Sequence, residues 1–236
     1  MDWNAPPKPA EFAESRLIDA ILEDRFPIGS TLPAERELAL ALGVTRPTLR
    51  EALQRLARDG WIEIRQGRPT RVRDYWHEGN LGVLGAIARH GQHLPDNFVP
   101  NLLAVRLLLA PAYTRLAIEA SPAPLVAFLR SLPDLPDSPA EFAPADWELH
   151  HRLTVASGNP IFTLILNGFC ELYLPMARIY FVSPAARRHS RAFYASLLAA
   201  AAAGDPSAAE ALTRRVMQES LELWQAARRP DPEVER

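Results

Sequence analysis

The chain has 236 residues, 48% of them hydrophobic, a formal net charge of −2 and a single cysteine. That is enough apolar material to close one large core or two ordinary ones without metal staples, and Cys170 has no intrachain partner, so a disulfide-framed secreted domain is excluded. The opening residues, MDWNAPPKPAEF, carry neither a basic nor an apolar leader region, and the most apolar run, LLAVRLLLAPAY, is broken by Arg106 and Pro111, so the expectation is a cytoplasmic protein without a membrane span.

Charge is not spread evenly. From Arg25 to Arg73, ten arginines stand against five acids, a local +5 that leaves −7 for the remainder. A basic head on an acidic body points to a polyanion partner, the bland alternative being a solvated charged surface. Within the head, 11–25 has Leu17, Ile18, Ile21 and Leu22 at helical spacing, followed by the turn-rich FPIGSTLP. ERELALAL reads as a short helix stopped by Gly43. Thr45 is the natural N-cap of the next helix, which puts Pro47 in its first turn, where a missing N–H costs no helical bond. Leu49, Ala52, Leu53, Leu56 and Ala57 form its apolar stripe, Arg50, Glu51, Gln54 and Arg58 face the other way, and Gly60 suits the end. WIEIRQ and TRVRD then alternate about a GRP turn, a hairpin with Arg68 at its tip. Helix, helix, turn, helix, hairpin is a winged helix-turn-helix, which lays the helix after the turn in the DNA major groove and brings the hairpin tip to the minor groove.

Beyond a linker at 75–80 the chain reads as helices only, near 81–90, 98–120, 124–132, 139–156, 160–181, 184–203 and 206–228, several of them opened by proline. PDLPDSPAEFAPAD reads as loop, and 160–181, apolar around most of its circumference, as one helix at the bundle centre interrupted by Asn167, Tyr173 and Tyr180. The expected fold class is therefore mainly α: a winged head of three helices plus β-hairpin over 1–74, the linker, and an all-helical effector and dimerisation bundle over 81–236. The 11 glycines form no phosphate-cradling loop or nucleophile elbow, which argues against an enzyme. A winged helix used only for protein contacts is a further alternative.

LPAERELA and VTRPTLREALQRLARDGW resemble the DNA-binding head of GntR-family bacterial transcription regulators, and NLLAVR, ASGNPIFTLILNG and RRVMQESLELW resemble its fatty-acid-responsive FadR branch. The resemblance implies a homodimer that binds a palindromic operator, as repressor or activator, and is released by long-chain acyl-CoA, with no cofactor. It implies DNA contacts at Arg36, Thr45, Arg46, Thr48, Arg50, Gly67 and Arg68, although relatives usually have Ser or Thr at Pro47 and often His at Gln66. For each arginine alone, a salt bridge to a neighbouring glutamate is the competing reading. The acyl-CoA site it implies comprises Arg106, Tyr173, Tyr180, Tyr194, Ser220 and Trp224, with Met217 in place of a common glycine and therefore a narrowed or shifted thioester end. A sister branch grips a small carboxylate through a metal held by one Asp and three His. Asp146 and His150 match its first two ligands, but the third position falls on Tyr194 and no histidine follows His189, so no metal site is expected.

Overall fold

The structure, a computed structural model, describes residues 8–90, 95 and 97–227. They fall into two compact units divided between Leu94 and Pro95.

The first unit holds α1 (Pro9–Leu22), α2 (Glu35–Leu42), α3 (Arg46–Asp59), the antiparallel pair β1 (Ile62–Glu63) and β2 (Arg71–Val72), and two short helices, α4 (Tyr75–Glu78) and α5 (Leu81–Arg89). The caps explain the boundaries. Gly43 and Gly60 take left-handed conformations after α2 and α3, and Thr45 caps α3 by accepting from the Thr48 N–H at 3.4 Å. Of the stripe expected on α3, Leu49, Ala52, Leu53 and Leu56 are buried and Ala57 is half-buried; Leu17, Ile18, Trp61, Ile62 and Val72 are the other buried residues around which this unit closes. The hairpin is paired over only two residues per strand, Ile62 with Val72 and Glu63 with Arg71, and Thr31 adds an isolated bridge to Arg71. The residues read as a linker differ from expectation, since Tyr75–Glu78 is helical with the Tyr75 ring 4.6 Å from Trp61. Helix α5, expected in the effector bundle, groups with the first unit, and its His90 cap meets Asp19 of α1 at 2.5 Å.

The second unit comprises α6 (Phe98–Ala120), α7 (Pro122–Leu129), a 3-10 turn (Leu132–Asp134), α8 (Pro139–Ala156), α9 (Pro160–Gly168), α10 (Cys170–Tyr180), α11 (Pro184–Ala203) and α12 (Pro206–Ala227). Prolines open α7 to α9, α11 and α12, but Pro111, Pro144 and Pro175 lie inside helices. The stretch read as loop holds the 3-10 turn and, from Pro139, the start of α8, whose bounds are those expected for 139–156; residue 228, read as the end of the last helix, lies outside the described residues. Helix α6 is long and apolar enough to cross a membrane by length and composition, yet it is the helix against which α12 packs most extensively, and α8 packs on it as well. The core gathers Phe142, Leu149, Leu153, Phe181, Phe193 and Leu197. The single central helix expected over 160–181 is not formed. It breaks at Phe169 into α9 and α10, bent by 68°, and no residue of α9 is fully buried. Asn167 is exposed.

Candidate DNA-reading face and effector cavity

On the first unit, α3 presents its N-terminal turn to solvent. Thr45, Arg46 and Arg50 are exposed and Thr48 is half-buried, its hydroxyl 2.8 Å from that of Thr45. Arg46 and Arg50 are four residues apart and so share one face of the helix. Arg36, exposed on α2, is the further arginine of this region, and the hairpin adds Gly67 and Arg68, both exposed. Gly67 has φ of +70° and open space around its missing Cβ, so backbone can approach a partner closely there. The competing salt bridge also exists. Glu35, the first residue of α2, accepts from Arg50 Nε at 2.7 Å and lies 3.9 Å from Arg46 Nη2. With roughly half of each arginine side chain exposed, such pairs are worth about 0–1 kcal/mol, less than the ~1–3 kcal/mol of a bidentate guanine contact, so they do not withhold these arginines from DNA.

Within the second unit, α6, α8, α9, α10 and α12 enclose a cavity of about 90 Å³. Of the residues expected at an effector site, Arg106, Tyr173, Tyr180, Ser220 and Trp224 line it. Tyr194 does not. It stands behind the wall and donates to Asp146 Oδ1 at 2.9 Å. Met217 also differs from expectation, packing in the apolar core and not on the cavity surface.

The polar wall is a network that the sequence did not show. Arg106 donates from Nη2 to Asp146 Oδ2 at 2.9 Å and also bonds to His150 Nε2. A guanidinium only donates, so His150 Nε2 accepts and Nδ1 carries the proton toward the Tyr113 hydroxyl, 2.7 Å away. Tyr173 donates to Asp146 Oδ2. Burial alone would raise the Asp146 carboxyl, but Arg106 and the Tyr173 and Tyr194 hydroxyls outweigh it and hold the group below its usual value. Burial, and then Arg106, push His150 down to about 3, so the ring is neutral. Arg106 Nε is buried without a hydrogen-bond partner. Asp146 and His150 do share a helix face, as their spacing implied, but the cation between them is a guanidinium. Among the described residues no three His, Cys, Asp or Glu gather as a metal site. Asp146, His150 and Tyr113 escaped the sequence reading as members of this site. The signal that was available is Tyr113, seven residues and so two turns along the same face from Arg106.

A winged helix-turn-helix with an arginine-rich reading helix, carried on a chain with a cavity-bearing helical unit, defines a DNA-binding transcription regulator. Residues 9–72 match the gntR family of bacterial regulatory proteins and residues 73–233 match the FadR C-terminal domain, and the chain belongs to that family. It is 44% identical over 216 residues to a protein of Edwardsiella ictaluri and 44% over 219 residues to one of Shewanella sp. strain MR-4, in each case covering 92% of this chain and 90% of the relative; both are called fatty acid metabolism regulator protein. Among solved structures, Listeria monocytogenes Lar, described as controlling expression of the agr system, superposes with TM-score 0.64 at 16% identity over 94% of this chain and 99% of its own. Escherichia coli McbR/YncC gives 0.50 at 18% over 94% and 100%. These two likenesses concern the fold alone.

Proposed function

We propose that the protein is a cytoplasmic, homodimeric regulator of fatty acid metabolism genes that binds a palindromic operator and is released by long-chain acyl-CoA. Arg36, Thr45, Arg46, Thr48, Arg50, Gly67 and Arg68 contact DNA in this reading. The observation that carries the effector half is the cavity, apolar over most of its wall and closed at one side by the Arg106–Asp146 pair. Apolar lining suits an alkyl chain, and Arg106 Nε, buried and unpaired, suits an acceptor oxygen such as the thioester carbonyl.

Magnitude adds a condition. An apolar cavity of about 150 Å³ takes benzene, so 90 Å³ admits a few methylenes and no long chain. In this reading the cavity must open to take the ligand, and a ligand that fits only the opened form shifts the equilibrium toward it. Helix α9 is the wall able to yield, because it buries no residue completely and is separated from α10 by a bend. A metal-gripped carboxylate is disfavoured by Arg106, whose fixed cation already occupies the space between Asp146 and His150. Isothermal titration with medium- to long-chain acyl-CoAs, paired with gel shifts on promoter DNA, tests the proposal: saturable heat with release is expected, and neither heat nor release at any chain length removes the fatty-acid effector.

A further inference from the structure

The geometry points to Glu35 as a positioning residue that aims Arg50 and Arg46 at the bases and so sets the sequence discrimination of the head, an inference that rests on α3 being the reading helix. Three observations converge. The Glu35 carboxylate takes Arg50 by Nε, at 2.7 Å, which leaves the two Nη groups outside that bond on a side chain that is 59% exposed. An arginine held at Nε can still offer that pair end-on to the O6 and N7 of guanine, the bidentate arrangement that discriminates bases. The same carboxylate oxygen lies 3.9 Å from Arg46 Nη2, beyond hydrogen-bond distance, so one anion bonds Arg50 and attracts Arg46 on the same reading face. Its own position is determined by α2: Glu35 is the first residue of that helix, where the exposed N–H groups favour a carboxylate, and Ala34 before it supplies no side-chain cap.

A carboxylate beside the DNA also has a cost that identifies its role. It repels phosphate on every sequence alike, so it lowers non-specific affinity, while the aim it gives Arg50 benefits only sequences with guanine in register. Glu35 therefore exchanges affinity for selectivity. Its neighbour Glu37 shares the first turn of α2 and the same charge, but bridges to no arginine among the described residues, and so serves as the control.

The test uses the full-length protein and a duplex enriched by it from random-sequence DNA, with a scrambled duplex as competitor, at two salt concentrations. Glu35→Gln should leave the non-specific affinity equal or higher and reduce the ratio of specific to non-specific binding by about 5–20-fold, with thermal stability near wild type. Glu35→Asp keeps the charge at the helix start but falls one methylene short of Arg50, and should lose selectivity as well. Glu37→Gln should keep the wild-type ratio. An unchanged ratio in Glu35→Gln, an equal loss in Glu37→Gln, or a parallel fall in both affinities with lowered stability would overturn the assignment. Arg50→Ala separates the two readings: if it retains discrimination, the placement of α3 in the groove fails, whereas if it loses discrimination and Glu35→Gln does not, only the role of Glu35 fails.

Discussion

Trp224 is 8% exposed and lines the cavity, yet it lies outside the main apolar cluster of the bundle. Deleting the ring would remove a cavity wall and buried area together, so Trp224→Ala should cost about 3–5 kcal/mol and impair every activity. Trp224→Phe is the cleaner probe. It should fold with near wild-type thermal stability, bind operator normally in the absence of ligand, and need several-fold more acyl-CoA for release in a gel-shift titration. His150 carries a second prediction at this scale. Its folded pKa of about 3 lies below the unfolded value near 6.5, so the unfolded chain takes up the proton first as pH falls. The associated stability is fully present above about pH 6.5 and is lost progressively toward pH 3, with a slope of at most ~1.4 kcal/mol per pH unit from this one site. Asp146, depressed below its usual value, contributes only at lower pH, where carboxylates of the unfolded chain begin to protonate. Urea midpoints measured from pH 7 to 4.5 should therefore fall with acidification, and His150→Gln should flatten that slope while lowering the midpoint at pH 7.

Between residues and domains, the helix ends decide what is rigid. Gly60 ends α3 at φ +95°, and a Cβ there would stand 2.7 Å from Gly79 Cα and 2.9 Å from the Glu78 carbonyl oxygen. Gly60→Ala combines left-handed strain with a backbone clash that has no flexible side chain to yield. A loss of at least about 1–3 kcal/mol is expected in chemical denaturation. Such punctuation is local, which is why the head was legible: Thr45 as cap, Pro47 in the first turn and Gly60 as stop each act within a few residues of themselves. The effector unit was less legible because its decisive features are not local. Arg106 meets Asp146 and His150 across 40 and 44 residues, and no spacing rule joins them. The break at Phe169 followed a glycine, Gly168, while Pro175 lies inside α10, so the apolar run read as one helix gave no sign of where it divides. Helix α9, left without a fully buried residue by that break, should exchange its amide hydrogens faster than α8, and acyl-CoA should slow that exchange. Equal exchange in the two helices would place the opening of the cavity elsewhere.

At the scale of the whole molecule, the head and the effector unit can communicate only through a difference in free energy between states. If acyl-CoA weakens operator binding by some factor, operator must weaken acyl-CoA binding by the same factor, and such couplings typically amount to ~5–150-fold. The closed cavity gives this a structural form. If long-chain acyl-CoA is the effector, only an opened fraction of molecules would accept it, so the apparent affinity would be the intrinsic affinity reduced by that fraction, and an operator that favours the closed form would reduce it further. Isothermal titration of acyl-CoA into the free protein and into protein saturated with operator duplex should therefore give dissociation constants that differ by the factor measured independently in DNA-release experiments. Medium-chain ligands, which demand less opening than long ones, should show a smaller factor in both measurements. Release of DNA with no matching change in acyl-CoA affinity would mean that the lipid strips the protein as a detergent does, and that the cavity of about 90 Å³ is not the seat of regulation.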